Sequence, residues 1–542
     1  MLTGVAMTTR RKFLTNLGII AGAGPMLGAL QALGIGGYAH AQEFSPLPRT
    51  LGHGQHVAVL GAGIAGLVAA HELEQAGFTV TLLEARDRVG GRAWALYDGS
   101  KVDMVGEAQQ TVSFGEGIYM NAGPARIPSI HHGFLGYARK FGVPLEVEVN
   151  SSRSAYIVSN AGERIRMRVA VNDTRGYIAE MLTKAVNQGA LDQTLSTADK
   201  QALLPFLKFY GDLGDDGRFT GSERSGYVAS PGAVNDSASR PPPVALARLL
   251  GNEQHGMSLF EDLPYMQATM FEPVGGMDRL HIAMAKALKS PPVLGAQLIK
   301  LRQKAAGVTL TYRLVASGSV RTLDADYVIS TIPFSVLRTI DTNLPQVTKA
   351  QIAAVPYDAS NKVGFEAPRF WEADEIYGGI SFVGPPTALI WYPSAGLHSD
   401  RGMILGCYNS GKVAAEFQKL PLTAQVAAAR AAIEKTHPGH GRDLEKPVVV
   451  NWSKVPYSLG PWPDWNEDKP GLPHDGHIDS AEFRALQQPI GRVYLAGAQL
   501  SQTPGWQEGG IHSAWAQVAA LAQRVKTAAL TEPAARPSPA RA

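Results

Sequence analysis

The chain has 542 residues, 45% hydrophobic and 18% charged, which is ample apolar material for a large core and unlike a disordered chain. Its net charge of +3 matches the three basic residues Arg10, Arg11 and Lys12, the only charged side chains in 1–41, so the neutral remainder gives no reason to expect nucleic acid or an anionic membrane as partner. A single cysteine, Cys407, excludes an internal disulfide, a zinc cluster or an iron–sulfur site. The pairs His437/His440 and His474/His477 lie in Gly- and Pro-containing sequence and read as solvated loop histidines, so no metal site is expected.

Residues 1–41 read as a twin-arginine signal peptide: Arg10-Arg11 precede a Gly/Ala-rich apolar stretch that closes on Ala39-His40-Ala41. The expectation is export to the periplasm or outside the cell, with no membrane span once the leader is cleaved. A further expected feature is a disordered Pro/Ala/Arg tail over 531–542.

His56 to Leu60 is a short apolar run that predicts a buried parallel strand. Gly61-Ala62-Gly63-Ile64-Ala65-Gly66 follows at once, then helical spacing over Leu67 to Ala76, then a second strand, Phe78 to Leu83, ending at Glu84. This is a complete βαβ unit of the dinucleotide-binding kind. Gly61 makes the tight turn, Gly63 admits a pyrophosphate to the backbone, and Gly66 lets helix and strand pack closely. The helix start at Ile64 and Ala65 offers free N–H groups to phosphate. Glu84 accepts hydrogen bonds from a ribose diol, which disfavours a 2′-phosphate.

Ala85-Arg86 and then Gly90-Gly91-Arg92 supply a second close backbone approach beside fixed cations. With GAGIAGL and LEARDRVGGR on the page, the chain resembles the flavin amine-oxidase family, whose two motifs clasp FAD. The resemblance continues through Gly275 to Leu280, Val293 to Leu301, Asn361 to Phe365 with Phe370-Trp371-Glu372, Val493 to Gly497, and Gly505 to Ile511. It spans about residues 56–521. It implies cofactor contacts from Val293 at the adenine, from Gly497, and from Gly505, Trp506, Glu508, Gly510 and Ile511 in the closing motif. Gly123-Pro124-Ala125-Arg126 resembles the GPxRxP segment of the L-amino-acid oxidase branch. There the arginine grips the substrate carboxylate beside the flavin, a bidentate pairing that suits a guanidinium.

By the same resemblance Tyr408 gives that carboxylate a second hydrogen bond, Lys362 holds a water near flavin N5, and Trp506 lines an aromatic cage for the amine. Trp462 falls near that cage in an unsettled register. Two departures stand out. The family's acid after Ala-Gly is absent from Ala496-Gly497-Ala498-Gln499, with Gln499 one residue late as the candidate replacement. No cysteine occupies the Tyr457 to Trp462 segment, where monoamine oxidases tether flavin, so non-covalent FAD is expected.

The fold class expected is α/β: a Rossmann-type FAD-binding domain interleaved with a mixed-sheet substrate domain and a helical insertion. The FAD domain takes 53–94, 275–353 and 485–530. The substrate domain takes 95–150, 265–274 and 354–484, and the insertion takes 151–264. The resemblance implies oxidative deamination of an L-amino acid, with hydride leaving Cα for flavin N5 and O₂ as second substrate, to a keto acid, ammonia and H₂O₂. An oxidase of primary amines or polyamines, an amino-acid monooxygenase, a dehydrogenase and a non-catalytic flavoprotein stay open. Nothing in the sequence fixes an oligomeric state, although dimers are common in that family.

Overall fold

The structure, a computed structural model, describes residues 44–465, 478 and 480–531. The expected leader, the tail beyond Thr531 and the His474/His477 pair lie outside the described residues.

The expected βαβ unit forms. His56–Leu60 pairs in parallel with Thr79–Leu83 on one side and Tyr327–Ser330 on the other, and Val493–Leu495 extends the sheet. The sheet is covered on both faces, which is why its strands read as continuous apolar runs rather than alternating ones. The crossover helix Ile64–Gln75 is buried from Ala65 to Glu74, with the C-terminal helix Gln507–Thr531 packed on it. A separate four-stranded sheet (Ala296–Gln303, Val308–Leu314, Val320–Ala325, Asp341–Thr342) leans on the strand ends through Val293, whose N–H donates to the Leu82 carbonyl.

A seven-stranded mixed sheet forms the second layer. Its order is Glu445–Asn451, Ser360–Pro368, Arg401–Ser410, Ala388–Tyr392, Gly379–Gly384, Tyr156–Val158, Arg164–Arg166. The last two strands fall in the stretch expected to be helical from residue 151. The helices begin only at Met167 and run over Met167–Asn187 and Thr197–Gly211. Three residues per strand are too few to show a period, and their pairing partners lie elsewhere in the chain. Leu145–Val149 and Thr269–Pro273 make a separate antiparallel ribbon.

His437 is not solvated. It is 2% exposed, with Nδ1 at 2.9 Å from Asp374 Oδ2 and Nε2 at 2.7 Å from the Tyr392 hydroxyl. His440 stacks on Phe370 at 4.3 Å. His437 belongs to the packing under the mixed sheet, whereas His440 keeps a partly exposed side chain, as a loop histidine would.

Glu508, expected at the cofactor, serves the fold instead. Its carboxylate accepts the N–H groups of Gly133 at 2.7 Å and Phe134 at 2.8 Å, satisfying the open start of helix His132–Lys140. Burial alone would raise its pKa, but His512, the two N–H groups and His131 outweigh that and hold it below the usual carboxylate range. Glu508→Gln is therefore expected to cost about 1–3 kcal/mol of stability at neutral pH. A depressed folded pKa means the carboxylate's contribution is present above the unfolded value, about 4.3, and is lost as pH falls through the folded one. Denaturant titrations of both proteins at neutral pH and at about pH 3 should show the gap narrowing in acid.

Candidate active site

In the glycine loop, contacts at Gly61 and Gly66 leave no room for side chains at those two positions. Gly61 sits at φ +98°, and a Cβ on Gly66 would lie 1.8 Å from the Gly61 carbonyl oxygen. At Gly63 a Cβ would meet nothing within 4 Å and would stand in open space on a cavity wall. Gly90 donates its N–H to the Ala62 carbonyl, and Gly91, at φ +56°, approaches Gly63 closely enough that a Cβ would sit 3.3 Å from its Cα. Thus the two glycine motifs lie against each other. Glu84, 4% exposed, ties them: Oε2 accepts from Ala62 N–H at 2.7 Å and Oε1 from Arg86 N–H at 2.9 Å.

Two arginines line the same cavity. Arg86 donates to the Pro456 carbonyl at 2.6 Å and to Ser458 Oγ at 2.8 Å. Arg92 donates to the Pro461 carbonyl at 2.6 Å. Burial pulls both below the ordinary arginine pKa, which measures how poorly the cations are solvated. Arg92 forms no ion pair among the described residues. A helix start with no side-chain cap, a bare glycine and two desolvated guanidiniums on one wall are a donor set for a pyrophosphate, so the residues present fit a dinucleotide.

The cavity wall also includes Lys362, Tyr408, Trp452, Trp462, Gly505 and Trp506. Lys362 and Tyr408 are direct neighbours across paired strands. Lys362 is 2% exposed, and its Nζ donates to the carbonyls of Asn121 at 2.9 Å and Gly123 at 2.6 Å. Burial, with Arg126 adding repulsion, lowers it to about 7. A neutral amine has two N–H bonds for those two carbonyls and keeps its lone pair. Trp506 stacks with Tyr265 at 5.8 Å and meets the edge of His131 at 5.0 Å.

Arg126 is buried beside this group. It donates to Asn150 Oδ1 at 2.5 Å, and its guanidinium lies 4.7 Å above the Trp391 ring, on which Tyr408 also stacks. Burial lowers its pKa, opposed by Tyr408 and Glu148, yet it makes no ion pair among the described residues. It lines neither this cavity nor a second one beside it that takes in Ala125 and Trp391.

Of the expected contacts, Gly61, Gly63, Ile64, Ala65, Glu84, Ala85, Arg86, Gly91, Arg92, Gly123, Pro124, Gly497, Gly505, Trp506 and Gly510 share the first cavity. Gly66, Val293, Glu508 and Ile511 stay off its wall, and Ala125 faces the second cavity. Gln499 does not line the cavity: its amide N–H groups donate to the Ala496 carbonyl at 2.6 Å and the Ile332 carbonyl at 3.2 Å, and its Oε1 is buried without a partner among the described residues. Sequence reasoning missed the Tyr457 to Pro461 segment as the acceptor for both arginines. Its signal was the Gly-Pro pair in Leu459-Gly460-Pro461, which closes a turn running from Tyr457 in which Tyr457, Leu459 and Gly460 all have positive φ.

Comparison with known proteins agrees with this geometry. The family model described as flavin containing amine oxidoreductase matches residues 64–522. The L-amino-acid oxidase of Notechis scutatus scutatus is 28% identical over 475 residues, covering 85% of this chain and 85% of that protein. The L-amino-acid oxidase of Bothrops pauloensis is 29% identical over 475 residues, covering 85% and 87%. Among solved structures, cyclohexylamine oxidase from Brevibacterium oxydans IH-35A shares the fold with a TM-score of 0.57 at 19% identity, over 87% of this chain and 99% of that one. The chain belongs to the flavin-containing amine oxidoreductase family.

Proposed function

We propose that this flavoenzyme holds FAD non-covalently and oxidises the Cα–N bond of an L-amino acid, yielding a keto acid, ammonia and H₂O₂. One observation carries the amino-acid reading: the Arg126 guanidinium is buried beside Tyr408 and Lys362 and forms no ion pair among the described residues. A buried cation with only a neutral amide as acceptor favours an anionic partner, and a substrate α-carboxylate is one. Arg126 reaches it by exchanging Asn150 for the carboxylate, with the Tyr408 hydroxyl as second donor. A simple amine brings no such group.

The pyrophosphate falls to Arg86, Arg92 and the Gly63 loop, and the ribose to Glu84. When bound, the flavin supplies the two-electron oxidation. The chain does the rest. Clamping the carboxylate fixes where Cα lies, and orientation of this kind supplies much of an enzyme's rate. Trp462 and Trp506 make the wall apolar, which favours the neutral substrate amine over its ammonium form. Lys362, neutral above about pH 7, offers Nζ to hold a proton. No cysteine lines the cavity, and Cys407 alternates to the opposite strand face from Tyr408, both of which support a dissociable cofactor.

Three outcomes are expected. Heat-denatured protein releases its flavin, identified as FAD by mass spectrometry; flavin that stays with the polypeptide overturns the non-covalent reading. Arg126→Ala lowers kcat/KM for L-amino acids by about 10²-fold or more while sparing oxidation of the matching decarboxylated amines, as followed by peroxide release. Full activity of that variant on amino acids sinks the clamp. Lys362→Met removes an ionisation near pH 7 from the kcat/KM profile and lowers activity above it by about 10²-fold. An unchanged profile removes the proton-holding role.

A further inference from the structure

The second cavity, about 570 Å³, shares no lining residue with the first and serves no step described so far. That volume is in the range of small-molecule sites. Part of its wall is supplied by Glu148 and Glu272 of the Leu145–Val149/Thr269–Pro273 ribbon. Strand alternation turns Glu146 and Glu148 to one face, and antiparallel pairing sets Glu272 opposite Glu146. Like charges opposed across strands destabilise a ribbon. Two of these carboxylates, Glu148 and Glu272, line the cavity at 2% and 6% exposure.

Their hydrogen bonding is incomplete. Glu148 Oε1 accepts from Trp391 Nε1 at 3.1 Å, and its Oε2 is buried without a partner. Arg126 is close enough to lower Glu148 but forms no ion pair with it among the described residues. Glu272 has one long contact, 3.4 Å from Asn121 Nδ2. The Tyr119 hydroxyl, on the same wall, is also buried and unpartnered. Trp391 and Tyr392 contribute aromatic surface. Burial pushes Glu148 up to about 7, and burial plus repulsion from Glu148 and Glu146 pushes Glu272 well above its ordinary value. Arg369 and Arg401 line the same cavity but are paired with Glu372 and with Glu366 and Glu445, so the Glu148 and Glu272 side still lacks positive charge and N–H donors.

We propose that this cavity is a binding site for an organic cation, an alkylguanidinium or alkylammonium group, seated between the Glu148 and Glu272 carboxylates against the Trp391 side. Flat, multiply donating cations match two carboxylates and an aromatic wall. A small metal ion would want a tighter oxygen cage, and among the described residues no such cluster of ligands is found. Two sources supply such a group: the basic side chain of an amino-acid substrate, which rests on the function proposed above, or a separate small cation.

The test uses flavin-loaded enzyme at about pH 8, where carboxylates and guanidinium favour the charged pair. Propylguanidinium and its neutral analogue propylurea are titrated calorimetrically into wild type, Glu148→Gln and Glu272→Gln, each with its flavin spectrum intact. Saturable binding of the cation is expected, weakened about tenfold or more by either substitution, with no comparable binding of the urea. No saturable binding, equal binding of the urea, or indifference to both substitutions overturns the proposal. Steady-state assays then separate the sources. If the substrate side chain is the occupant, propylguanidinium competes with L-arginine, and Glu272→Gln raises the KM for L-arginine relative to that for L-leucine. If a separate cation is the occupant, propylguanidinium alters turnover without competing. Cation binding in an enzyme that oxidises no amino acid sinks the function alone; oxidation without cation binding sinks the site alone.

Discussion

Positive charge buried without a carboxylate partner is the constraint around which this molecule is arranged. Arg92, Arg126 and Lys362 are all removed from water, and none forms an ion pair among the described residues. Backbone carbonyls and one amide soften the cost without cancelling it. The two residue types resolve the problem differently. A guanidinium cannot shed its proton in a protein, so Arg92 and Arg126 stay charged and favour anionic ligands. A lysine can, and Lys362 is pushed to where it does so near neutrality. The first cavity therefore combines the permanent cations of Arg86 and Arg92 with a lysine that sheds its proton near neutrality, and Arg126 lies buried just behind its wall.

That combination depends on pairing between distant segments. Lys362 and Tyr408 face each other because Ser360–Pro368 and Arg401–Ser410 run antiparallel in that register. A slip of one residue would turn both to the other face, where Val363 and Cys407 now pack in the core. The Gly123 and Asn121 carbonyls that hold Lys362 come from the segment that carries Arg126, so clamp and base are braced by one stretch of backbone.

What could be read in the sequence was what is local. The glycine loop, its helix and Glu84 are contiguous, and each residue type has one physical reason to be there, so the βαβ unit was legible. The layered α/β fold followed from the motifs strung along the chain. What depended on register or docking was not. Leu145-Glu146-Val147-Glu148-Val149 alternates like a surface strand, and only its pairing with Thr269–Pro273 gathers the acids on a buried face. Glu508 stands in a ligand-binding motif, yet what its carboxylate meets is decided by a helix start some 375 positions away. Gln499 reads as a displaced acid in the sequence, yet only the folded loop shows that its amide nitrogen is bound to the Ala496 and Ile332 carbonyls, off the cavity wall.

The same long reach has a consequence for how the protein is made. Val493–Leu495 completes the parallel sheet, Gly497, Gly505 and Trp506 close the cavity, and Glu508 pins the helix that follows Arg126. A nascent chain that has emerged only as far as the glycine loop and its arginines has a floor for a dinucleotide but no roof. The cavity is thus complete only at the end of synthesis rather than its beginning, and a chain cut before residue 497 would keep every early fingerprint while lacking one side of the enclosure.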